Sequence, residues 1–230
     1  MSATTFIVAI DGPGGAGKST TARAVAARLG LSYLDTGALY RCVALRAVEQ
    51  GLALDDGARI AGIARALDVR FAAGSQRVCL GDRDVTAEIR TPEVSQAASK
   101  VSALPPVREA LVDLQRRSAR EPGTVAEGRD MGTVIFPGAQ LKVFLDATMD
   151  ERARRRVADL RGLGRPDDVE EVRAQLADRD ARDAGRAVAP LRQASRASCA
   201  PCLARASSAA VLATWYTSPS TARAISAIRS

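Results

Sequence analysis

Apolar and polar positions fall into a repeating order along the chain. Phe6 to Asp11 is a short unbroken apolar run, the pattern of a strand buried on both faces of a parallel sheet. The Gly-rich stretch Gly12 to Gly17 follows, and then an Ala-rich segment in which Val25 and Leu29 lie four apart on one helical face, with Gly30 where a helix-ending residue belongs. Leu31 to Asp35 reads as a second strand and Ala38 to Glu49 as a second helix ending near Gly51. Strand, loop, helix, strand, helix implies an α/β protein with a parallel sheet.

The middle of the chain changes period. Val69 and Phe71 alternate with polar residues, as do Val78 and Leu80, and Gly74-Ser75 and Gly81-Asp82 supply turns, so a small antiparallel β unit is expected inside the parallel fold. Pro105 and Pro106 open a helix in which Val107, Leu111 and Leu114 recur at i, i+4 and i+7. Thr124 to Glu127 and Leu141 to Asp146 resume the parallel strands, and Asp150 to Leu160 is a helix dense in arginine. A further charged helix spans Asp167 to Arg186. Its apolar stripe Val169, Val172, Leu176 is continued by Arg179, Asp183 and Arg186 within an arc of roughly 100°. That continuation fits charged groups turned toward whatever the helix covers; it fits equally a solvated helix end with Arg179 and Asp183 paired at i, i+4.

Composition narrows the chemistry. The chain has 230 residues, 47% hydrophobic and 26% charged, enough for one folded domain, and no run approaches the eighteen or so apolar residues of a membrane span. It has no histidine, which excludes His-based triads and His-ligated metals and leaves Lys, Arg, Asp, Glu and backbone amides to handle protons or phosphates. The net charge of +7 is uneven: residues 192–230 hold five Arg and no Asp, Glu or Lys, leaving the first 191 residues at only +2. Basicity is thus a property of the tail and does not argue for a nucleic-acid partner of the main domain. The N-terminal residues lack the basic start and cleavage site of a secretory signal, so a cytoplasmic location with free thiols is expected at Cys42, Cys79, Cys199 and Cys202. The lone CxxC of Cys199 and Cys202 does not complete a four-ligand zinc site.

Gly12-x4-Gly17-Lys18-Ser19 fits the phosphate-cradling P-loop, in the required context of strand before and helix after. Glycines let consecutive backbone amides converge on a phosphate, the helix N-terminus adds positive potential, Lys18 reaches the β- and γ-phosphates, and the Ser19 hydroxyl is the natural ligand for Mg2+. The arginines of the 150s admit two readings, a clamp on a transferring phosphoryl group or surface pairs such as Asp150 with Arg154 and Glu151 with Arg155.

Asp11-Gly12-Pro13, Asp35-Thr36-Gly37-Ala38-Leu39-Tyr40-Arg41, Val85 to Arg90, Val107 to Leu111 and Glu127-Gly128-Arg129-Asp130-Met131-Gly132-Thr133 together resemble the bacterial cytidylate kinases, a family of P-loop nucleoside monophosphate kinases. The resemblance continues in order through Phe144-Leu145-Asp146-Ala147 and Arg179-Asp180-Ala181-Arg182-Asp183 to about Leu191, some five sixths of the chain. It implies a P-loop kinase parallel sheet flanked by helices, with an inserted antiparallel β nucleotide-binding lobe at roughly 60–104 and a helical lid at roughly 152–186, all within one domain, 1–191. The implied reaction is transfer of the ATP γ-phosphate to CMP or dCMP, with Mg2+ as cofactor, by a monomer whose partners are nucleotides rather than nucleic acid or membrane.

By the same resemblance, Gly12, Pro13, Gly14, Gly15, Ala16, Gly17, Lys18, Ser19 and Thr20, with Arg152 and Arg156 of the lid, hold ATP. Arg41 and Arg129 hold the acceptor's phosphate and act catalytically with Lys18 and Asp130. Thr36, Ser99, Arg108, Asp130, Arg179, Asp183 and Arg186 complete the CMP site, with Ser99, Arg108 and Asp130 nearest the base. Each has a plainer alternative: Thr36 as a helix N-cap, Ser99 as a surface serine, Arg108 as a first-turn residue, Asp130 as a cap. Asp35, Asp146 and Glu127 also end strands and are assigned no role beyond outer contacts to magnesium. UMP or AMP as acceptor is the alternative within enzymes. A nucleotide-binding protein impaired by its C-terminus is the alternative outside them. After Leu191 the resemblance stops, and residues 192–230, with eleven Ala and eight Ser, read as a change of reading frame that leaves the strand at Leu141 to Asp146 uncovered; the rival reading is a basic interaction tail that touches RNA, though its only aromatics are Trp215 and Tyr216.

Overall fold

A computed structural model describes residues 5–71, 77–162 and 168–194. Its centre is a four-stranded parallel sheet in the order β2-β6-β1-β7, from β1 (Phe6–Asp11), β2 (Ser32–Asp35), β6 (Gly123–Gly128) and β7 (Leu141–Phe144). The alternation of side chains along β1 sorts its apolar residues onto two faces. Ile7 and Ala9 join Leu34, Ala126, Met131 and Ile135 on one side, while Val8 and Ile10 join Ala22, Ala26, Val125 and Leu145 on the other. Both faces are covered, which is why the strand reads as continuously apolar.

Register then fixes the site. Asp11 aligns with Gly128 and with Phe144, and Asp35 aligns with Glu127, so the carboxyl ends of all four strands open on one edge of the sheet. In open α/β sheets that edge is where ligands bind. Helix α1 (Lys18–Leu29) returns over the face of Ala22 and Ala26 and ends at Gly30, whose φ of 66° is left-handed. Helix α2 (Thr36–Glu49) starts two residues earlier than its apolar pattern suggests, because the Asp35 carboxylate caps it by accepting the Ala38 N–H at 2.9 Å.

The expected antiparallel unit is present as β3 (Val69–Phe71), β4 (Val78–Leu80) and β5 (Arg83–Asp84), paired in that order; the expected turn at Gly74-Ser75 lies outside the described residues. The insert holds more than strands. Two helices that the periodicity reading passed over flank the small sheet, α3 (Gly57–Arg65) and α4 (Pro92–Val101). Their starts carry ordinary caps, Asp56 accepting from the Arg59 N–H at 3.0 Å and Thr91 from the Val94 N–H at 3.3 Å, the latter with proline at the first helical position. Together with α2 and α5 (Pro105–Arg117) they enclose the largest apolar core, in which Leu39, Val43, Ile60, Val85, Ile89, Val101 and Leu111 are fully buried.

The last two helices, α6 (Met149–Gly162) and α7 (Val169–Ala184), pack through Ala153, Val157, Leu160, Val172 and Leu176. Val169, expected in the same stripe, is 40% exposed, and Arg186 lies beyond the helix end. Among the described residues β7 is an edge strand, paired with β1 and partly buried throughout. Residues 195–230, including Cys199 and Cys202, are outside the described residues. Cys42 and Cys79 are free thiols. No helix among the described residues is long and apolar enough to cross a membrane.

Candidate active site

The loop between β1 and α1 has to turn sharply against the neighbouring strand end. Gly12 (φ 148°), Gly15 (φ 76°) and Gly17 (φ 93°) all take backbone conformations that residues with a Cβ rarely adopt. At Gly12 an added Cβ would stand 1.9 Å from the Leu145 carbonyl oxygen, so only glycine fits. Lys18, the first residue of α1, is buried and turns back across the loop to donate to the Pro13 carbonyl at 2.7 Å. Burial, and then the guanidinium of Arg129, hold its pKa well below the ordinary lysine value. An anion held by the loop would favour the charged amine.

A cleft of about 790 Å³ opens over this loop. One wall carries Gly14, Gly15, Gly17, Lys18, Ser19 and Thr20, and the other carries Thr36, Arg41, Arg108, Arg129, Asp130, Arg179, Asp183 and Arg186. The residues of this second wall come from five separate elements, and Arg108, Asp130, Arg129, Asp183 and Arg186 meet as two linked ion networks. Arg108 donates to Asp130 at 2.5 Å and to the Ser102 carbonyl at 3.0 Å, and its guanidinium lies 5.6 Å from the centre of the Tyr40 ring. Asp183 accepts from Arg129 Nε at 2.7 Å and from Arg186, and Arg186 in turn donates to the Ser102 hydroxyl at 3.0 Å. Among the described residues the Nε groups of Arg41, Arg108, Arg179 and Arg186 have no acceptor, so the wall offers buried donors to an anionic or carbonyl-rich ligand.

Electrostatics follow from this crowding. Burial, then Arg129, lowers the Arg179 pKa to about 9. Burial raises the Asp183 pKa, but Arg129, Arg186 and Arg179 outweigh it and leave the carboxyl below its ordinary value. Glu127, at the end of β6, is held above the ordinary glutamate value by burial and by Asp35, with Lys18 opposing. The Tyr33 hydroxyl donates to Glu127, and burial keeps that phenol protonated by driving its pKa far up.

The plainer readings of several residues fail here. Thr36 is not the cap of α2 but its first residue, and its hydroxyl donates to the Glu127 carbonyl at 2.7 Å. Asp130 makes no side-chain cap to the turn that follows it, Arg108 is buried, and Ser99 is buried rather than on the surface. The solvated-end reading of α7 fails too, since Asp183 turns to Arg129 and Arg186 and not to Arg179.

Five expected site residues stand outside the cleft lining: Gly12, Pro13 and Ala16 of the loop itself, and Ser99 and Arg152. Ser99 accepts from Arg182 Nε at 3.1 Å, while its neighbours Ser95, Ala98 and Ser102 face the cleft. Arg152 is committed to protein groups: it pairs with Asp180 at 2.7 Å and donates to the Gly14 carbonyl at 3.1 Å, tying the loop to α6 and α7. Arg156 lines the cleft, and so does Arg155, which also pairs with Glu151 at 2.7 Å as its spacing suggested. The other surface pair differs from its spacing. Asp150 meets Arg173 at 2.5 Å and Arg154 takes Glu151 instead.

Arg23 and Ser102, which the sequence reading did not name, line the cleft, as do Tyr40, Asp35 and Glu127. Tyr40 was visible only as part of the motif that carries the resemblance, and the two acids by their position at strand ends. For a magnesium ion, the Ser19 hydroxyl at the start of α1 and the Glu127 and Asp35 carboxylates facing the same cleft are hard oxygen donors of the right kind. Among the described residues no cluster of three or more acidic or thiol groups could hold a metal unaided.

A family model described as cytidylate kinase matches residues 8–206. The cytidylate kinase of Methylococcus capsulatus (strain ATCC 33009 / NCIMB 11132 / Bath) is 48% identical over 198 residues, covering 86% of this chain and 89% of the relative. That of Pasteurella multocida (strain Pm70) is 47% identical over 194 residues, covering 84% and 86%. That of Klebsiella pneumoniae (strain 342) is 48% identical over 193 residues, covering 83% and 85%. With a glycine-rich loop and a wall of arginines and carboxylates sharing one cleft, and with matches of this extent, the chain belongs to the cytidylate kinase family.

Proposed function

We propose that the protein transfers the γ-phosphate of ATP to CMP and dCMP, giving ADP and the corresponding diphosphate. The observation that carries this is the single cleft in which a P-loop faces a wall of arginines and carboxylates. ATP lies along Gly12 to Thr20, with Lys18 at the β- and γ-phosphates and with Arg155 and Arg156 approaching from α6. The Ser19 hydroxyl would hold magnesium, which would supply charge neutralisation at the donor phosphates. Arg152 acts on ATP indirectly, by holding the Gly14 carbonyl in place.

Arg41 and Arg129 bind the acceptor's phosphate, and Arg179 adds a third cation facing the same space. The Arg108 and Asp130 pair suits cytosine, whose exocyclic amine donates to a carboxylate and whose ring nitrogen and carbonyl accept from a guanidinium. Arg186 is a further donor beside them, Asp183 and Thr36 offer oxygens to the sugar, and Ser99 joins once it leaves Arg182. No side chain has to remove a proton, because the acceptor is already a phosphate anion. Catalysis is then alignment plus charge stabilisation by Lys18 and the arginines.

In this reading residues 1–191 work as one domain, the insert at 60–104 carries part of the acceptor site, and the segment 152–186 closes over ATP. The protein works as a cytoplasmic monomer on free nucleotides. The test is CMP-dependent ADP production from Mg-ATP, with Lys18→Ala as control and UMP and AMP as competing acceptors. Turnover on CMP and dCMP that is lost in Lys18→Ala supports the proposal. Equal turnover on UMP or AMP, or none on any acceptor by folded protein, refutes it.

A further inference from the structure

Arg129 and Asp130 sit on a short stretch between the end of β6 and the turn Met131–Ile135, and both must point into the cleft from opposite networks. The stretch is pinned at one end by the sheet, where Gly128 aligns with Asp11. It is pinned at the other end by the same residue. Asp11 Oδ1 accepts the Met131 N–H and Oδ2 accepts the Gly132 N–H, each at 2.8 Å. These are the leading amides of the turn, which later bonds leave without a partner: Val134 and Ile135 donate to the Asp130 carbonyl and Phe136 to that of Met131. The Asp11 carbonyl also accepts the Leu145 N–H at 2.7 Å, and Gly12 follows it directly.

One buried residue therefore touches the ATP loop, the acceptor loop and the end of β7. Asp11 is 3% exposed and among the described residues no side-chain cation pairs with it; among the groups that act on it electrostatically, Lys18 favours its charge and Asp130 opposes it. An Asn here would put an NH2 at one of the two oxygen positions, whereas the ionised carboxylate presents an acceptor to each amide. We propose that Asp11 is a positioning residue that uses both carboxylate oxygens to set Arg129 and Asp130 against the ATP loop, so that the acceptor phosphate lies in line with the γ-phosphate. It does not touch substrate. Its effect runs through the two acceptor-site residues whose backbone it fixes.

The proposal rests on reading the arginine wall as the acceptor site, so wild-type turnover on CMP is measured first; its absence would count against that reading rather than against Asp11. Asp11→Asn keeps the shape of the side chain and turns an NH2 toward one of the two amides. The variant should lose at least tenfold in kcat/KM for CMP, while calorimetric affinity for Mg-ATP alone stays within twofold. In an Arg129→Met, Asp130→Asn background the same substitution should cost less than twofold, because the groups it acts through are gone. If the Asn variant does not fold, Asp11→Ser, a smaller single acceptor, must give the same pattern. Unchanged CMP kinetics, parallel loss of ATP and CMP affinity, or an undiminished loss in the double-substituted background would each overturn the proposal.

Discussion

Asp183 offers the sharpest test of the electrostatics. Its carboxylate is 1% exposed and accepts from Arg129 and Arg186, with the Arg179 guanidinium also acting on it. Asp183→Asn preserves shape and leaves these cations without their shared counter-charge. Removing one partner of a buried pair costs about 3–5 kcal/mol. Arg129 is 15% exposed and can turn toward cleft water, which argues for the lower end, about 3 kcal/mol. For a chain of this size that lowers Tm by about 6–12 °C. Urea melts at several pH values provide the second dimension. The folded-state pKa of Asp183 is depressed, so its stabilisation is fully present above the unfolded carboxyl value near 3.9 and is lost as pH falls through the lower native value. The gap between wild type and variant should be constant from pH 6 to 8 and close below about pH 4. Sulfate should restore more stability to the variant than to the wild type, since it supplies the missing negative charge. A gap under about 1 kcal/mol at pH 7, or one that persists undiminished at low pH, would refute the reasoning.

Gly12→Ala forces a Cβ to 1.9 Å from the Leu145 carbonyl at a φ that disfavours any side chain, so the loop must move; Mg-ATP binding measured by calorimetry should be lost. Tyr33→Phe removes the hydroxyl that holds Glu127 in the cleft, and an unfilled buried acceptor costs about 1–3 kcal/mol, readable in urea melts; the Mg2+ concentration for half-maximal turnover should rise severalfold with it. Asp11→Asn should leave the protein at pH 7 as stable as wild type or up to about 2 kcal/mol more stable. Burial raises the Asp11 pKa from 3.8 to about 6, so its ionisation costs roughly 3 kcal/mol at neutral pH, a cost that grows as pH rises through that range and that the amide avoids. Against it stands one lost acceptor worth about 1–3 kcal/mol, and urea melts from pH 5 to 8 give the balance.

The strands of the parallel sheet were legible because burial on both faces leaves an uninterrupted apolar run, as in Phe6–Asp11. Helices α3 and α4 were harder to see, since their buried residues are mostly Ala and Val within a few turns: Ile60, Ala61 and Ala64 in one, Val94, Ala97, Ala98 and Val101 in the other. Their caps at Asp56 and Thr91 were the available signals. Of the residues proposed for the acceptor site, Arg108, Asp130 and Asp183 were reached through motif resemblance. Spacing left each with a plainer alternative that burial has now removed. Arg152 shows the reverse, a basic residue in a basic cluster whose charge is absorbed by Asp180 and a loop carbonyl.

The sequence by itself determined the phosphate cradle, because a loop that closes on a phosphate needs its glycines, Lys18 and Ser19 at fixed local spacings between a strand and a helix. It also determined that protons and phosphates would be handled without imidazole. Only the tertiary structure decided which arginines remain available to a ligand, and that Asp11 and Tyr33 brace the acceptor loop and Glu127. The reason is physical: a charge acquires its role from the partner that desolvation forces on it, and here those partners lie 22 to 121 residues away.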